Sequence, residues 1–236
     1  MFFNTLIVIP ARGGSKGIPK KNIKNLAGKP LIYHTINLAR QFVDDKWICV
    51  STDDLEIKQI CEQYGLFVPF IRPQELAMDT SSSEDVINHA YQFYKNQNYK
   101  IDKILLLQPT SPFRKPDDIY EAMLKYNDEL DMVVSVQEAE ANPYFLMCLE
   151  NSQGYLEKLF NNMKFSRRQD APKVYQYNGA IYIINVKSFE KKNISSFTKV
   201  IKFNMDAISS LDIDTHLDWI FAEFILEKEL FKYDFS

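Results

Sequence analysis

Apolar residues along this chain fall into short, β-branched runs separated by longer stretches with helical spacing. Leu6 to Pro10 is the first run, and its length and composition predict a buried strand. A helix is expected from Gly28-Lys29-Pro30-Leu31 to about Phe42, with Leu31, Thr35, Leu38 and Phe42 on one face. Pro30 suits the first turn, where an N–H would be unpaired anyway. Trp47 to Ser51 predicts a second strand. Leu55 to Tyr64 predicts a helix that Asp53 or Asp54 can cap and Gly65 stops. Leu66 to Phe70 predicts a short third strand. A polar loop from Arg72 to Ser83 feeds a helix over about Glu84 to Lys95. Lys103 to Gln108 predicts a strongly apolar strand, Pro116-Asp117-Asp118 a helix start, and Met132 to Val136 another strand.

Regular alternation of strand and helix predicts an α/β fold, with a mainly parallel sheet covered by helices on both faces. Ligands in such sheets bind at the carboxyl ends of the strands. The polar segments after the first, third and fourth strands are therefore expected to converge on one crevice. From Glu138 to Tyr177 the alternation fails, and Pro143, Gly154, Arg167, Arg168 and Pro172 punctuate mixed segments. We expect a β-rich insertion at about 138–177 within a single domain spanning 1–236. Its composition fits an oligomerisation arm or a plain surface excursion. Asn178 to Ile184 and Val200 to Phe203 return to strand. A terminal helix is expected from about Thr215 to Leu230, with Leu217, Phe221, Phe224 and Ile225 on its apolar face.

Composition narrows the function. The chain has 236 residues and a net charge of −3, so its clusters of cations are local, which argues against nucleic acid as the partner. Cys49, Cys61 and Cys148 are too widely spaced for a zinc site or a disulfide framework, and we expect three thiols in a reducing cytoplasm. The first apolar run stops at Arg12 and has no basic segment before it, so a strand is expected and not a signal peptide. No run approaches the length of a bilayer span, and no membrane association is expected.

The first strand runs into Ala11-Arg12-Gly13-Gly14-Ser15-Lys16-Gly17-Ile18-Pro19-Lys20-Lys21-Asn22. Three glycines let main-chain N–H groups converge on an anion, and four cations supply charge for several phosphate oxygens. Neither a Walker loop nor a dinucleotide fingerprint is present. A triphosphate cradle is expected, with a solvated basic turn as the plainer alternative. Asp212-Ile213-Asp214 is the second informative site. Alternate residues of an extended segment point the same way, so two carboxylates share a side while Ile213 enters the core. Such a pair suits Mg2+ together with substrate phosphates. On spacing alone, Asp214 as a helix cap and Asp212 as a solvated group is the better reading, and the metal reading gains from a triphosphate cradle elsewhere in the chain. Gln108 offers donor and acceptor to a polyhydroxylated ligand, and Arg114 suits a carboxylate or phosphate, although Gln108 to Arg114 could simply form a tight turn. Arg167-Arg168-Gln169-Asp170 reads first as a solvated charge run. His34, His89 and His216 have no metal-ligand spacing. Asn178 and Tyr182 are candidate sugar contacts.

These segments, together with Ser51-Thr52-Asp53, Arg72-Pro73 to Ser83, Leu107-Gln108-Pro109-Thr110-Ser111-Pro112, Asn178-Gly179-Ala180-Ile181-Tyr182 and Ser210-Leu211-Asp212-Ile213-Asp214, resemble in order and spacing the acylneuraminate cytidylyltransferases, or CMP-sialic acid synthetases. The resemblance implies a Rossmann-like domain of the nucleotide-diphospho-sugar transferase type and a homodimer whose arm, near 140–178, crosses to the neighbour. It implies a reaction of CTP with a nine-carbon 2-keto sugar acid, a nonulosonic acid, giving a CMP-sugar and pyrophosphate. Mg2+ would be required, with Mn2+ as a substitute. Arg12 and Lys21 would hold the triphosphate, with Ala11, Gly13, Gly14 and Ser15 completing the loop. Asn22, Arg72, Ser81 and Ser83 match cytidine-binding positions, and Gln108 and Tyr182 match sugar-site positions. Asp212 and Asp214 match the metal ligands. Arg168 or Arg114 would serve the acid's carboxylate. Asn178-Gly179-Ala180 resembles the sialic and legionaminic acid enzymes more than the pseudaminic acid ones. Asn142-Pro143-Tyr144-Phe145 and Arg167 to Pro172 resemble legionaminic-type members. A non-catalytic nucleotide-sugar sensor on the same fold is the alternative class, and it would be expected to have lost Lys21, Asp212 or Asp214.

Overall fold

The computed structural model describes residues 1–78, 81–160, 165 and 167–233. In chain order its strands are β1 (Thr5–Pro10), β2 (Asn25–Leu26), β3 (Lys29–Pro30), β4 (Ile48–Ser51), β5 (Lys103–Leu106), β6 (Met132–Glu138), β7 (Cys148–Glu150), β8 (Leu156–Lys158), β9 (Tyr175–Asn185) and β10 (Val200–Asn204). Its α-helices are α1 (Leu31–Ala39), α2 (Leu55–Gln63), α3 (Ser83–Asn96), α4 (Pro116–Lys125), α5 (Val186–Phe189) and α6 (His216–Glu227). Six strands form the central sheet in the order β10-β6-β9-β5-β1-β4. The pairs β1–β4, β1–β5 and β10–β6 are parallel, and β9 runs antiparallel to both neighbours.

Strand β1 shows why the sheet needs helices on both sides. Ile7 and Ile9 enter one core cluster with Ile32 and Ile36 of α1, Ile57 and Cys61 of α2, and Ile119 and Met123 of α4. Leu6 and Val8 enter the other with Ile87, Ala90, Tyr91 and Tyr94 of α3. Successive side chains of a strand point to opposite faces, so an unbroken apolar run demands apolar cover twice. Each such side chain contributes about 1.5–3 kcal/mol when fully buried.

Several expected elements are corrected. Leu66 to Phe70 is not a strand. Leu66 and Val68 are buried, but Phe67 is exposed and Pro69 has no N–H to give to a ladder. Pro30 belongs to the β2–β3 hairpin, whose turn residues Ala27 and Gly28 both have positive φ, and α1 begins one residue later. That helix ends at Ala39, short of Phe42, and Phe42 packs on the core from the turn beyond. Strand β5 stops at Leu106, which leaves Gln108 on a loop. Helix α6 buries Trp219, Ala222 and Ile225 against Leu31, Phe113 and Ile213, so Leu217, Phe221 and Phe224 of the expected inner face are exposed. The bulky indole sets which stripe faces inward. The 138–177 insertion carries the β7–β8 hairpin and a 3-10 turn at Arg168–Asp170. Among the described residues no helix is long and apolar enough to cross a membrane.

Candidate active site

The ends of β1 and β5, the stretch leading into α3 and the segment before α6 enclose a cleft of about 510 Å3, lined by Arg12, Ser15, Lys16, Lys21, Asn22, Arg72, Gln108 and both Asp212 and Asp214, among others. The glycine loop fits here because two of its glycines are approached too closely for a side chain. A Cβ on Gly13 would collide with the Asp54 carboxylate, and one on Gly17 with the main-chain oxygen of Asp214. Asp54 is fixed because it caps α2, accepting from the N–H groups of Glu56 and Ile57. The loop is thus wedged between the start of α2 and the Asp212–Asp214 segment.

Asp53 ties this wall together. It accepts from the Gly13 N–H at 3.2 Å and from the Arg72 guanidinium at 3.3 Å. Burial pulls the Arg72 pKa down, and Asp53 opposes that shift. Lys21 is only 8% exposed. Its Nζ donates to the Ile213 carbonyl at 2.6 Å and to Asp214 Oδ1 at 2.9 Å. Lys20, by contrast, has a left-handed backbone and pairs with Glu56 on the surface. The Asn22 amide donates to the Arg12 carbonyl at 3.0 Å, and its Oδ1 is buried with no partner among the described residues. Ser81, Ser82 and Ser83 line the opposite wall. Ser81 donates to the Glu75 carbonyl, and Ser82 caps α3 in a box with Asp85. The adjoining residues 79–80 lie outside the described residues.

A second cavity, of about 520 Å3, shares Gln108 and Asp212 with the first and extends along Gln137, Gln176, Tyr177 and Tyr182. A wide bulge in β9 shapes it. Val134 pairs with Tyr182 and Val136 with Tyr177, so one residue intervenes on β6 and four on β9. The surplus is Asn178-Gly179-Ala180. Bulges bend a strand and re-aim what it carries. Here the bulge brings Gly179, at φ +76°, against Gln108 and Asp212; a Cβ there would lie 3.6 and 3.7 Å from their side-chain oxygens.

One expected ligand contact, Arg114, is corrected, and another, Asn178, lines the second cavity but also bonds within the protein. Asn178 is buried, and its side chain is spent on the bulge: its Oδ1 accepts from Ser135 Oγ and from the Ala180 N–H, and its Nδ2 donates to Ser210 Oγ at 2.9 Å. Arg114 is 3% exposed. It donates to the carbonyls of Gln108 at 2.7 Å and Ala180 at 2.9 Å, and to Thr35 Oγ1 at 2.8 Å. Burial draws its pKa down to about 9, yet it stays charged at neutral pH. Arg114 therefore clamps the two loops that form the junction and does not face a ligand. The Arg168 side chain lies outside the described residues.

The carboxylate pair also resolves. Ile213 is fully buried, and its N–H donates to the Thr110 carbonyl at 2.8 Å. The cap of α6 is Thr215, in a box with Asp218, so Asp214 is released from that role. Burial raises the Asp212 pKa, with Asp214 adding to the shift and the Thr110 side chain and Lys21 opposing it. Asp212 Oδ1 is buried without a hydrogen-bond partner among the described residues. An orphaned carboxylate oxygen beside a second carboxylate fits a hard cation. No group of three or more such side chains gathers among the described residues, so a cation here would take its other ligands from phosphate and water.

Asp53, Gln137, Gln176 and Tyr177 were not expected as site residues. Asp53 had a signal, since it follows a strand end. The other three had none, because only the bulge brings them to the cavity.

A cytidylyltransferase family model matches residues 6–230. The chain is 40% identical over 227 residues to the CMP-N,N'-diacetyllegionaminic acid synthase of Legionella pneumophila, covering 94% of this chain and 96% of the relative. It is 38% identical over 218 residues to the N-acylneuraminate cytidylyltransferase of Streptococcus agalactiae, covering 91% of this chain but 51% of that longer protein. A solved CMP:2-keto-3-deoxy-manno-octonic acid synthetase, complexed with CTP, superposes with a TM-score of 0.69 at 19% identity, covering 95% of this chain and 99% of the other.

Proposed function

This chain belongs to the cytidylyltransferase family and is a nucleotidyltransferase, and from that premise we propose that it transfers CMP from CTP to the anomeric hydroxyl of a nine-carbon 2-keto sugar acid, releasing pyrophosphate. The observation that carries the reading is the meeting of two cavities at Gln108 and Asp212, one ringed by phosphate-binding chemistry and the other by neutral polar groups. CTP occupies the first cavity. Arg12, Lys16 and Lys21 neutralise its phosphates, and Asn22, Arg72, Ser81 and Ser83 hold the cytidine end. The acid occupies the second, with its anomeric hydroxyl toward the junction and Gln108 and Tyr182 against the ring. The hydroxyl attacks the α-phosphorus, and pyrophosphate departs in line over the cations. Phosphoryl transfer of this kind depends chiefly on positioning and on charge stabilisation by preorganised groups.

Asp212 and Asp214 would hold Mg2+, or Mn2+ in its place, which supplies charge neutralisation to the phosphates when bound. The second cavity has no lysine or arginine among its described lining residues, so the acid's carboxylate needs a cation from elsewhere. We assign it to the arm of a neighbouring subunit in a homodimer. Exposed Leu146, Leu149, Tyr155 and Leu156 on that arm support the assignment. A cytoplasmic setting is consistent with three free cysteines, two of them buried. Relatives named for legionaminic and N-acylneuraminic acids support a nonulosonic acid as acceptor. Pyrophosphate release from CTP with a panel of such acids, in Mg2+ and after chelation, tests the reading. Release that depends on both the acid and the cation is expected, and CTP binding without release with any acid would overturn it.

A further inference from the structure

We propose that Gln137 and Gln176 form a paired-amide subsite that selects acids carrying an acylamido group, rather than a hydroxyl, on the exocyclic chain. The proposal rests on the cytidylyl-transfer reading above. Gln137 and Gln176 are direct register partners of the antiparallel β6–β9 ladder, just beyond the bulge. Side chains of opposed residues leave the same face of a ladder and meet. Both line the second cavity, and neither amide forms a side-chain hydrogen bond among the described residues.

The cavity's geometry fixes which part of the substrate meets them. The anomeric carbon must lie at the junction, beside Gln108 and Asp212, to reach the α-phosphorus. Gln176 lies three residues before Gly179, which touches that junction, so it stands on the regular ladder beyond the bulge and away from the junction. The far end of a nine-carbon acid is its exocyclic chain. Among the described lining residues Asp212 alone is charged, and it sits at the junction, so the rest of the described lining suits neutral groups. A glutamine amide presents two donors and a carbonyl acceptor. An acylamido group presents the complementary carbonyl and N–H, whereas a hydroxyl cannot span two amides in the same way. The rings of Tyr177 and Tyr182, with centroids 6.2 Å apart, offer apolar surface for the acyl methyl.

The test measures kcat/KM with saturating CTP for two acceptors, a 5,7-diacetamido nonulosonic acid and N-acetylneuraminate, which carries a hydroxyl at C7. Wild type is expected to favour the diacetamido acid. Gln137→Met and Gln176→Met should each lower the ratio of the two kcat/KM values about 10-fold, the scale of one lost hydrogen bond, with KM for CTP unchanged. Both acceptors are read on one preparation, so any loss of folded protein cancels in the ratio. A ratio within twofold of wild type in both variants, or a wild type that favours N-acetylneuraminate, overturns the subsite while leaving cytidylyl transfer intact. A wild type that binds CTP and is inert with both acids overturns the transfer reading, and the subsite with it.

Discussion

Gly17 and Asp214 lie near opposite ends of the sequence, yet the glycine packs so closely on the Asp214 main-chain oxygen that a Cβ would overlap it. The glycine-rich loop and the carboxylate segment are thereby in direct main-chain contact. The obstacle is backbone and cannot rotate away. Gly17→Ala should therefore displace the loop, destabilising the fold by about 1–3 kcal/mol, as overpacking generally does. It should also weaken CTP binding about 10-fold or more. Calorimetric CTP titration with a urea melt checks both, and unchanged affinity would show that the contact is incidental.

Lys21 bridges the same two segments through Asp214 and Ile213. Lys21→Ala should lower kcat about 10²–10³-fold, the usual effect of removing one preorganised electrostatic group. The far-ultraviolet spectrum should be retained, because Asp214 is largely exposed and is solvated when unpaired. Wild-type turnover in the folded variant would refute the cradle.

Arg114 acts on the site from behind. Arg114→Met would leave the Ala180 carbonyl and the Thr35 hydroxyl without this donor, while the Gln108 carbonyl keeps the Ser111 N–H. Unpartnered buried groups cost about 1–3 kcal/mol each, so a stability loss of several kcal/mol is expected. Arg114→Lys, which keeps one donor set and the charge, should fold but loosen the junction. We expect KM for the acid to rise and kcat to fall about 10-fold, with KM for CTP within twofold. An equal effect on both substrates would exclude a role confined to the junction.

The arm's hairpin exposes Leu149 and Leu156 on adjacent strands. Leu149→Asp with Leu156→Asp alters little within one subunit, since neither side chain is buried there. If the hairpin seats on a neighbour, the double variant should scatter light as a monomer, keep CTP binding and lose transfer by 10²-fold or more. A dimer with normal turnover would remove the arm from the mechanism.

His34 gives a pH-dependent signature. Its ring is buried, with Nε2 at 2.9 Å from the Leu26 carbonyl, and it stacks on Tyr233 with ring centroids 4.0 Å apart. Burial lowers its pKa from 6.5 to about 4. Between those values the unfolded chain binds a proton that the folded chain refuses, so stability falls as pH drops through this window. The loss approaches about 3 kcal/mol at the lower end. Urea melts between pH 7 and pH 4.5 should show this slope in the wild type and a shallower one in His34→Gln. Equal slopes would assign the acid sensitivity to other groups.

The sequence by itself determined the β/α alternation, the position of the glycine-rich cationic loop after β1 and the paired carboxylates at Asp212 and Asp214. Those features are local: strand burial on two faces requires an unbroken apolar run, and glycines and cations gathered in one loop are visible residue by residue. Spacing also predicted that Ile213 would enter the core. Only the tertiary structure removed Asp214 as the cap of α6, because Thr215 takes that place in a box with Asp218. Only it decided that Arg114 and Asn178 give their hydrogen bonds to other parts of the protein. A guanidinium or an amide has the same hydrogen-bonding groups whether its partner is a ligand or a carbonyl, and the choice depends on which distant segments enclose it. The exposed stripe of α6 was likewise set by where Trp219 found room. The second cavity was least legible. It exists because β9 carries three residues more than its partner strand between two ladder pairs, and pairing register is a property of two strands together.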